Sequence, residues 1–196
     1  MSYLREMDLG ETSQISVSLR EVFGFVPNVF RVLGLLSRIP EALSGLATAV
    51  ILPEQALTRI RKQSIMLAVA AAYRNVYCVA WHHRSLRLLG VPDSQLNRII
   101  SDHHHGGLSR LDAALLDFGL KLATRAPWLS ARDICQMRVH GFTNESILEA
   151  IIVTAMATLF CTLSAGLGPP PDFDPPAIPE AALAPMPDVG SFVGGT

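Results

Sequence analysis

The chain has 196 residues, 49% of them hydrophobic and only 17% charged, with a net charge of −1 at pH 7. That length suits one domain with a sizeable core, and the near-neutral charge removes the electrostatic case for nucleic-acid binding. Three cysteines, Cys78, Cys135 and Cys161, form neither a disulfide framework nor a zinc spacing.

A surface this poor in charge points to burial in a homo-oligomer (dimer, trimer or hexamer). Residues 1–11 hold no apolar run of signal-peptide type. The longest apolar runs, Ile65–Ala72 and Ile151–Ala157, are too short to span a bilayer. The expectation is a cytoplasmic protein with no membrane segment and reduced thiols.

Taken in order, the chain reads as helix after helix, with no strand-like alternation and no repeat. Residues 1–12 read as a loose arm. Ser13 to Phe23 carries apolar Ile15, Val17, Leu19, Val22 and Phe23 at helical spacing and is stopped by Gly24. A second helix is expected from Asn28 to Ser37, a third from Pro40 to Leu52, and a long fourth from Pro53 to Arg74. On the fourth, Ile60, Gln63, Leu67 and Ala70 share a stripe, while Arg59, Arg61 and Lys62 mark the solvent side. Gln63 is then a polar side chain on an apolar face, either bonded to a neighbouring helix or lining a site.

Asn75 suits the N-cap of a fifth helix, which Gly90 closes. Cys78 falls in its first turn, where the positive helix end favours a thiolate. His82 follows four residues later and stacks on the same face. An imidazole beside a thiol can take its proton; a buried cysteine that merely packs is the plainer alternative. Trp81 is expected to pack in a core or interface.

Pro92-Asp93 starts a sixth helix to Ser101. Asp102 to Gly107, with His103, His104 and His105, is read as a polar loop, because consecutive histidines splay; no metal site is expected there. Ser109 caps a helix to Thr124, and Ser130 with Asp133 caps another that Gly141 stops. Cys135 on that helix is expected to be inert packing. Thr143 starts the last helix, to Ala165. Gly166 to Thr196 holds eight of the thirteen prolines and reads as an extended tail. The division is therefore an arm (1–12), a helical domain (13–168) and a Pro/Gly-rich tail (169–196).

Several of these segments resemble the AhpD-like and carboxymuconolactone decarboxylase family. Its peroxidase branch reads Glu, eleven residues, then Cys-x-x-Cys-x-x-x-His; here Gln63, Asn75, Cys78 and His82 fall at those positions. Phe25-Val26-Pro27-Asn28-Val29-Phe30 resembles the family's "VPN" entry. Leu108-Ser109-Arg110 to Leu122, and Gly141-Phe142-Thr143 to Ala150, resemble two of its helices. The likeness spans about residues 15–168 and implies an all-α helical bundle, commonly trimeric or hexameric. In that family two thiols attack a peroxide and close a disulfide, while Glu and His move protons. This chain departs from it: Asn75 has no sulfur, Gln63 does not titrate, and Thr158 to Thr162 stand where the family often has an N-x-x-N-R pattern.

The departures imply a scaffold kept and a redox site altered. The leading expectation is an enzyme on a small organic substrate, of lyase/decarboxylase or isomerase type, and not a dithiol peroxidase. His82 would be its acid or base, Cys78 a nearby nucleophile or pocket thiol, and Gln63, Asn75 and Tyr77 pocket-lining hydrogen-bonders; no cofactor is expected. Asn75 and Cys78 cannot form a disulfide, and Cys135 and Cys161 lie too far along the chain for local sequence to hold them against Cys78. A one-Cys alkylhydroperoxidase-like enzyme and a non-catalytic ligand- or partner-binding oligomer are the alternatives.

Overall fold

A computed structural model describes residues 1–104 and 108–176; His105 to Gly107 and the tail beyond residue 176 lie outside the described residues. The fold is all-α, with no strand among the described residues. Its helices are α1 (Gln14–Phe23), α2 (Asn28–Leu33), α3 (Ile39–Ile51), α4 (Arg59–Ala72), α5 (Val76–Leu88), α6 (Asp93–Ser101), α7 (Arg110–Arg125), α8 (Ala131–Val139) and α9 (Asn144–Leu167). The hydroxyls of Ser13, Thr58, Ser109 and Thr143 each accept a first-turn N–H, and Ser130 with Asp133 forms a capping box.

The layout follows from α4. Its run Ile65 to Ala71 is apolar on every side, so it must be covered on every side, and all seven residues are buried. α5, α6, α7 and α9 cover it. The tightest approach is at Gly119 of α7, where a Cβ would lie 3.1 Å from Ile65 and 3.3 Å from Thr154 of α9. α9 has the length and composition to cross a membrane, because its flanking residues extend the short run seen in sequence. It packs nonetheless against α4, α7, α3, α5, α8 and α2 as a core helix. A second apolar cluster gathers Leu19, Val26, Val29, Phe30 and Leu33 from α1, α2 and the segment between them; Tyr77 and Phe160 touch both clusters.

Five expectations change. α2 stops at Leu33 instead of Ser37, because the chain turns at Gly34, where Leu9 and Met7 press against the bare Cα. The arm is not loose: Tyr3 N–H bonds Leu167 C=O and Met7 N–H bonds Arg31 C=O, each at 2.9 Å. α4 starts at Arg59, since Thr58 is its cap and residues 53–58 fold back as a loop.

That loop also reverses the reading of Lys62, which is fully buried rather than solvent-facing. Its ammonium donates to the carbonyls of Val50 and Pro53 and pairs with Glu149 of α9. The Glu149 carboxylate also accepts the N–H groups of Ala56 and Leu57. Finally, Cys135 is exposed; it lies two residues from Met137, the buried residue of α8, and so faces the other way.

Breaking a buried pair strands the other charge. Lys62→Met should therefore lower the unfolding free energy by about 3 kcal/mol, read as a shift in urea midpoint. Adding Glu149→Gln should recover part of the loss. A Lys62→Met protein as stable as wild type would contradict this account.

Candidate active site

The site is built on the corner between α4 and α5. α4 ends with Tyr73, Arg74 and Asn75 donating to the carbonyls of Val69, Ala71 and Ala70. Arg74 takes a left-handed conformation, φ 52°, which turns the chain and is uncommon for a residue with a Cβ. Asn75 then caps α5, its Oδ1 accepting the Cys78 N–H at 2.9 Å. Its Nδ2 donates across to α9, to Cys161 C=O and to Ser164 Oγ, both at 2.9 Å. The cap fixes Cys78 in the first turn of α5, at the positive end of the helix.

Sequence reasoning left open whether Cys161 approaches Cys78; the fold ties α9 to α5 at these two buried residues, Asn75 bonding the Cys78 N–H and the Cys161 C=O. Ser164 Oγ lies 3.5 Å from Cys78 Sγ. The bond from Cys161 and the contact with Ser164 lower the Cys78 pKa despite burial. Cys161 is pushed up, first by its bond to Cys78 and then by burial. The first proton to leave this pair is therefore that of Cys78.

His82 is buried one turn further along α5. Its Nδ1 lies 2.8 Å from Gln63 Oε1. A carbonyl oxygen only accepts, so the ring carries its proton on Nδ1 and leaves Nε2 bare. Burial lowers its pKa to about 3, which makes it neutral at pH 7. Gln63 thus does what the sequence left open: it is a buried amide bonded to a neighbouring helix, and it sets the tautomer of His82.

Cys78 and His82 open on a small cavity of about 50 Å³, walled by apolar side chains including Phe30, Ile51, Met66 and Phe160. The Tyr77 ring lines it too. The Tyr77 hydroxyl points away, donating to Asp172 and accepting from Val29 N–H. Burial, then Asp172, raises the Tyr77 pKa far above its usual value. A second cavity, about 280 Å³, shares Phe23, Ala47, Ile51 and Trp81 with the first and carries Gln63, Arg59 and Arg84 on its wall. Asn75 lines neither cavity, contrary to expectation, because its amide is engaged at the α5 cap and on α9.

Three contributors were not read from sequence. Cys161 and Ser164 sit on a helix whose alternation gave no sign of which face meets α5. Phe173, from the tail, stacks with Phe25 and Trp81 and lies beneath the Arg84 guanidinium. Away from the site, His103 and His104 both approach Asp117, at 2.8 and 3.0 Å. Their ligand atoms are close enough to hold a metal ion, in a cluster with two of its three members exposed; His105 lies outside the described residues.

Solved structures share this arrangement of helices. An alkylhydroperoxidase AhpD core, an uncharacterized peroxidase-related protein from Ralstonia eutropha JMP134, covers 87% of this chain and 92% of its own, with 25% identity and a TM-score of 0.79. An uncharacterized peroxidase-related protein from Silicibacter sp. TM1040 covers 88% and 95%, at 19% identity and TM-score 0.75. The debrominase Bmp8, in complex with 2,3,4-tribromopyrrole, covers 93% and 96%, at 15% identity and TM-score 0.72. No protein-family model and no curated protein matches the sequence. The fold is that of an all-α AhpD core. The chain is similar in fold to these AhpD-like proteins.

The neutral His82 has a measurable consequence. Its folded pKa, about 3, lies below the ordinary value near 6.5. Between those values the unfolded chain binds the extra proton, so stability is full above pH 6.5 and falls as pH drops towards 3. The loss should be on the order of a few kcal/mol. Urea midpoints against pH should show it in wild type and show less of it in His82→Gln. Gln63→Glu would put a carboxylate on Nδ1 and should raise the His82 pKa, read from its imidazole NMR shifts. Parallel pH profiles for wild type and His82→Gln would refute the assignment.

Proposed function

We propose that this AhpD-like chain is an enzyme acting on a small, uncharged organic electrophile, with Cys78 as nucleophile and the neutral His82 ring as a hydrogen-bond acceptor beside it. The observation that carries this is the meeting of thiol and imidazole, from successive turns of α5, on one apolar cavity. Cys78 is favoured as a thiolate by its hydrogen-bond partners and its place in the first turn. His82 lines the same space as a neutral ring whose Nε2 carries no proton and can accept a hydrogen bond.

The wall chemistry narrows the substrate. The small cavity carries no cationic side chain, so a carboxylate there would lose water without a partner. This weighs against a decarboxylase acting on an acid, and a His82 of such low pKa is a poor proton donor at pH 7. An uncharged molecule of few atoms suits it. The debrominase neighbour, seen with a halogenated pyrrole, agrees with that class without defining it.

The test is alkylation resolved by cysteine. Iodoacetamide and iodoacetate, each normalised to glutathione, should differ at Cys78 by roughly tenfold or more in favour of the neutral reagent, because the dry cavity penalises a carboxylate. Exposed Cys135 is the internal control. His82→Asn should slow Cys78 without affecting Cys135. If Cys78 reacts no faster than Cys135 with the neutral reagent, the thiol is packing and the reading fails.

We also propose a cytoplasmic homo-oligomer. Leu148, Ile152 and Leu159 are exposed along one side of α9, and Leu88, Trp128 and Val139 are exposed elsewhere; covering them with a second copy would remove apolar surface from water. Light scattering should give more than one 21.2 kDa chain per particle. A stable monomer at micromolar concentration would reject the proposal.

A further inference from the structure

We infer that Cys161 is the redox partner of Cys78: the two thiols, on different helices and joined by one buried asparagine, close to an inter-helix disulfide when Cys78 is oxidised from the cavity. This rests on the reading of Cys78 as the reacting thiol.

The two sulfurs are not equivalent. Cys78 lines the cavity, whereas Cys161 does not and lies behind it on α9, 1% exposed. An oxidant entering the cavity therefore meets Cys78 first. Asn75 bonds the Cys78 N–H with one end of its amide and the Cys161 C=O with the other, so α5 and α9 are tied at these two residues. Ser164 Oγ lies 3.5 Å from the Cys78 sulfur and 3.3 Å from the Cys161 carbonyl, so one hydroxyl of α9 touches both residues.

The chemistry balances with a hydroperoxide as oxidant and a dithiol as reductant. The Cys78 thiolate attacks one peroxide oxygen. The O–O bond breaks, the alkoxide leaves and takes up a proton, and Cys78 becomes a sulfenic acid. Cys161 sulfur then attacks the sulfenic sulfur. The S–S bond forms, the S–O bond breaks, and hydroxide leaves with the Cys161 proton as water. The peroxide gains two electrons and the thiol pair loses two. An external dithiol restores both thiols by exchange.

The electrostatics order these steps. Cys161 is held protonated chiefly by its bond to Cys78. Converting the Cys78 thiolate to a neutral sulfenic acid removes that neighbouring charge. Cys161 is thereby released to act as a nucleophile only after the first step has occurred.

The experiment treats the full chain, in a Cys135→Ser background that removes the exposed thiol, with cumene hydroperoxide or hydrogen peroxide. The expected product is a cross-linked Cys78–Cys161 peptide on non-reducing mass mapping, reversed by dithiothreitol. Cys161→Ser should lose the cross-link and yield instead a Cys78 sulfenate trapped by dimedone. Cys78→Ser should give neither product, with an unchanged circular-dichroism spectrum showing that it folds. If Cys78 oxidises or alkylates readily yet stays unbridged in the parent chain, the inference is overturned and the nucleophile reading survives. If Cys78 neither alkylates nor oxidises, both fall.

Discussion

The Asn75 side chain is the point on which the site depends. It replaces a missing backbone partner at the start of α5 and at the same time holds α9, through Cys161 and Ser164. Both ends of a buried amide are satisfied, and losing either would leave a polar group without water. Arg74 in its left-handed conformation is what delivers Asn75 to that position. The strain of such a residue, of order 1 kcal/mol or more, persists only where surrounding contacts hold it. Here those contacts are the α4 end, the α5 cap and the bridge to α9. An asparagine standing where the family's peroxidase branch has a first cysteine thus has a structural account: it trades a sulfur for a tie between helices.

The same dryness that makes this amide bridge strong decides the protonation of its neighbours. Lys62 and Glu149 are paired in the interior, and each is further hydrogen-bonded to backbone groups. His82 has no such partner: Gln63 offers a dipole rather than a charge, so burial wins and the ring is neutral. The fold therefore separates its charges from its chemistry. The ion pair anchors the loop before α4, and Met66, one turn further along that helix, walls a cavity whose lining is apolar. A nucleophile facing such a cavity keeps its negative charge only through hydrogen bonds, which is what Cys161 and Ser164 give Cys78.

What the sequence made legible is local. Caps at Asn75, Ser109 and Ser130, and the helix start at Thr143, need only a few neighbouring residues to act, and they were read correctly. So was the placing of Cys78 and His82 on one face, since helical spacing alone determines it. What was missed is long-range. Lys62 looks like a surface residue until the loop at 53–58 folds over it and a glutamate arrives from the far end of the chain. Cys135 was assigned to the core from the habits of its residue type, although the face opposite Met137 had to be exposed. Cys161 lies on a helix apolar on most sides, so no periodicity could say which residue meets α5. The family likeness carried the fold, but Gln63 and Cys161 acquired roles only when distances replaced spacings.

The tail extends this argument past the helical domain. Ordering an irregular segment costs about 1–2 kcal/mol per residue in backbone entropy, so the stretch after Gly168 needs specific contacts to hold it. Asp172 supplies two, accepting the Asn28 N–H at the start of α2 and the hydroxyl of Tyr77 on α5. Phe173 adds ring contacts with Phe25 and Trp81. These partners are the elements that wall the small cavity and its larger neighbour. Burial raises the Asp172 pKa while Tyr77 and Asn28 oppose the rise, so the carboxylate is held by the bonds it makes to the site. Tyr77 is consequently fixed at both ends: its ring against the cavity, its hydroxyl against the tail. A proline-rich segment that looks dispensable by composition is in this way part of the enclosure that keeps Cys78 and His82 away from bulk water.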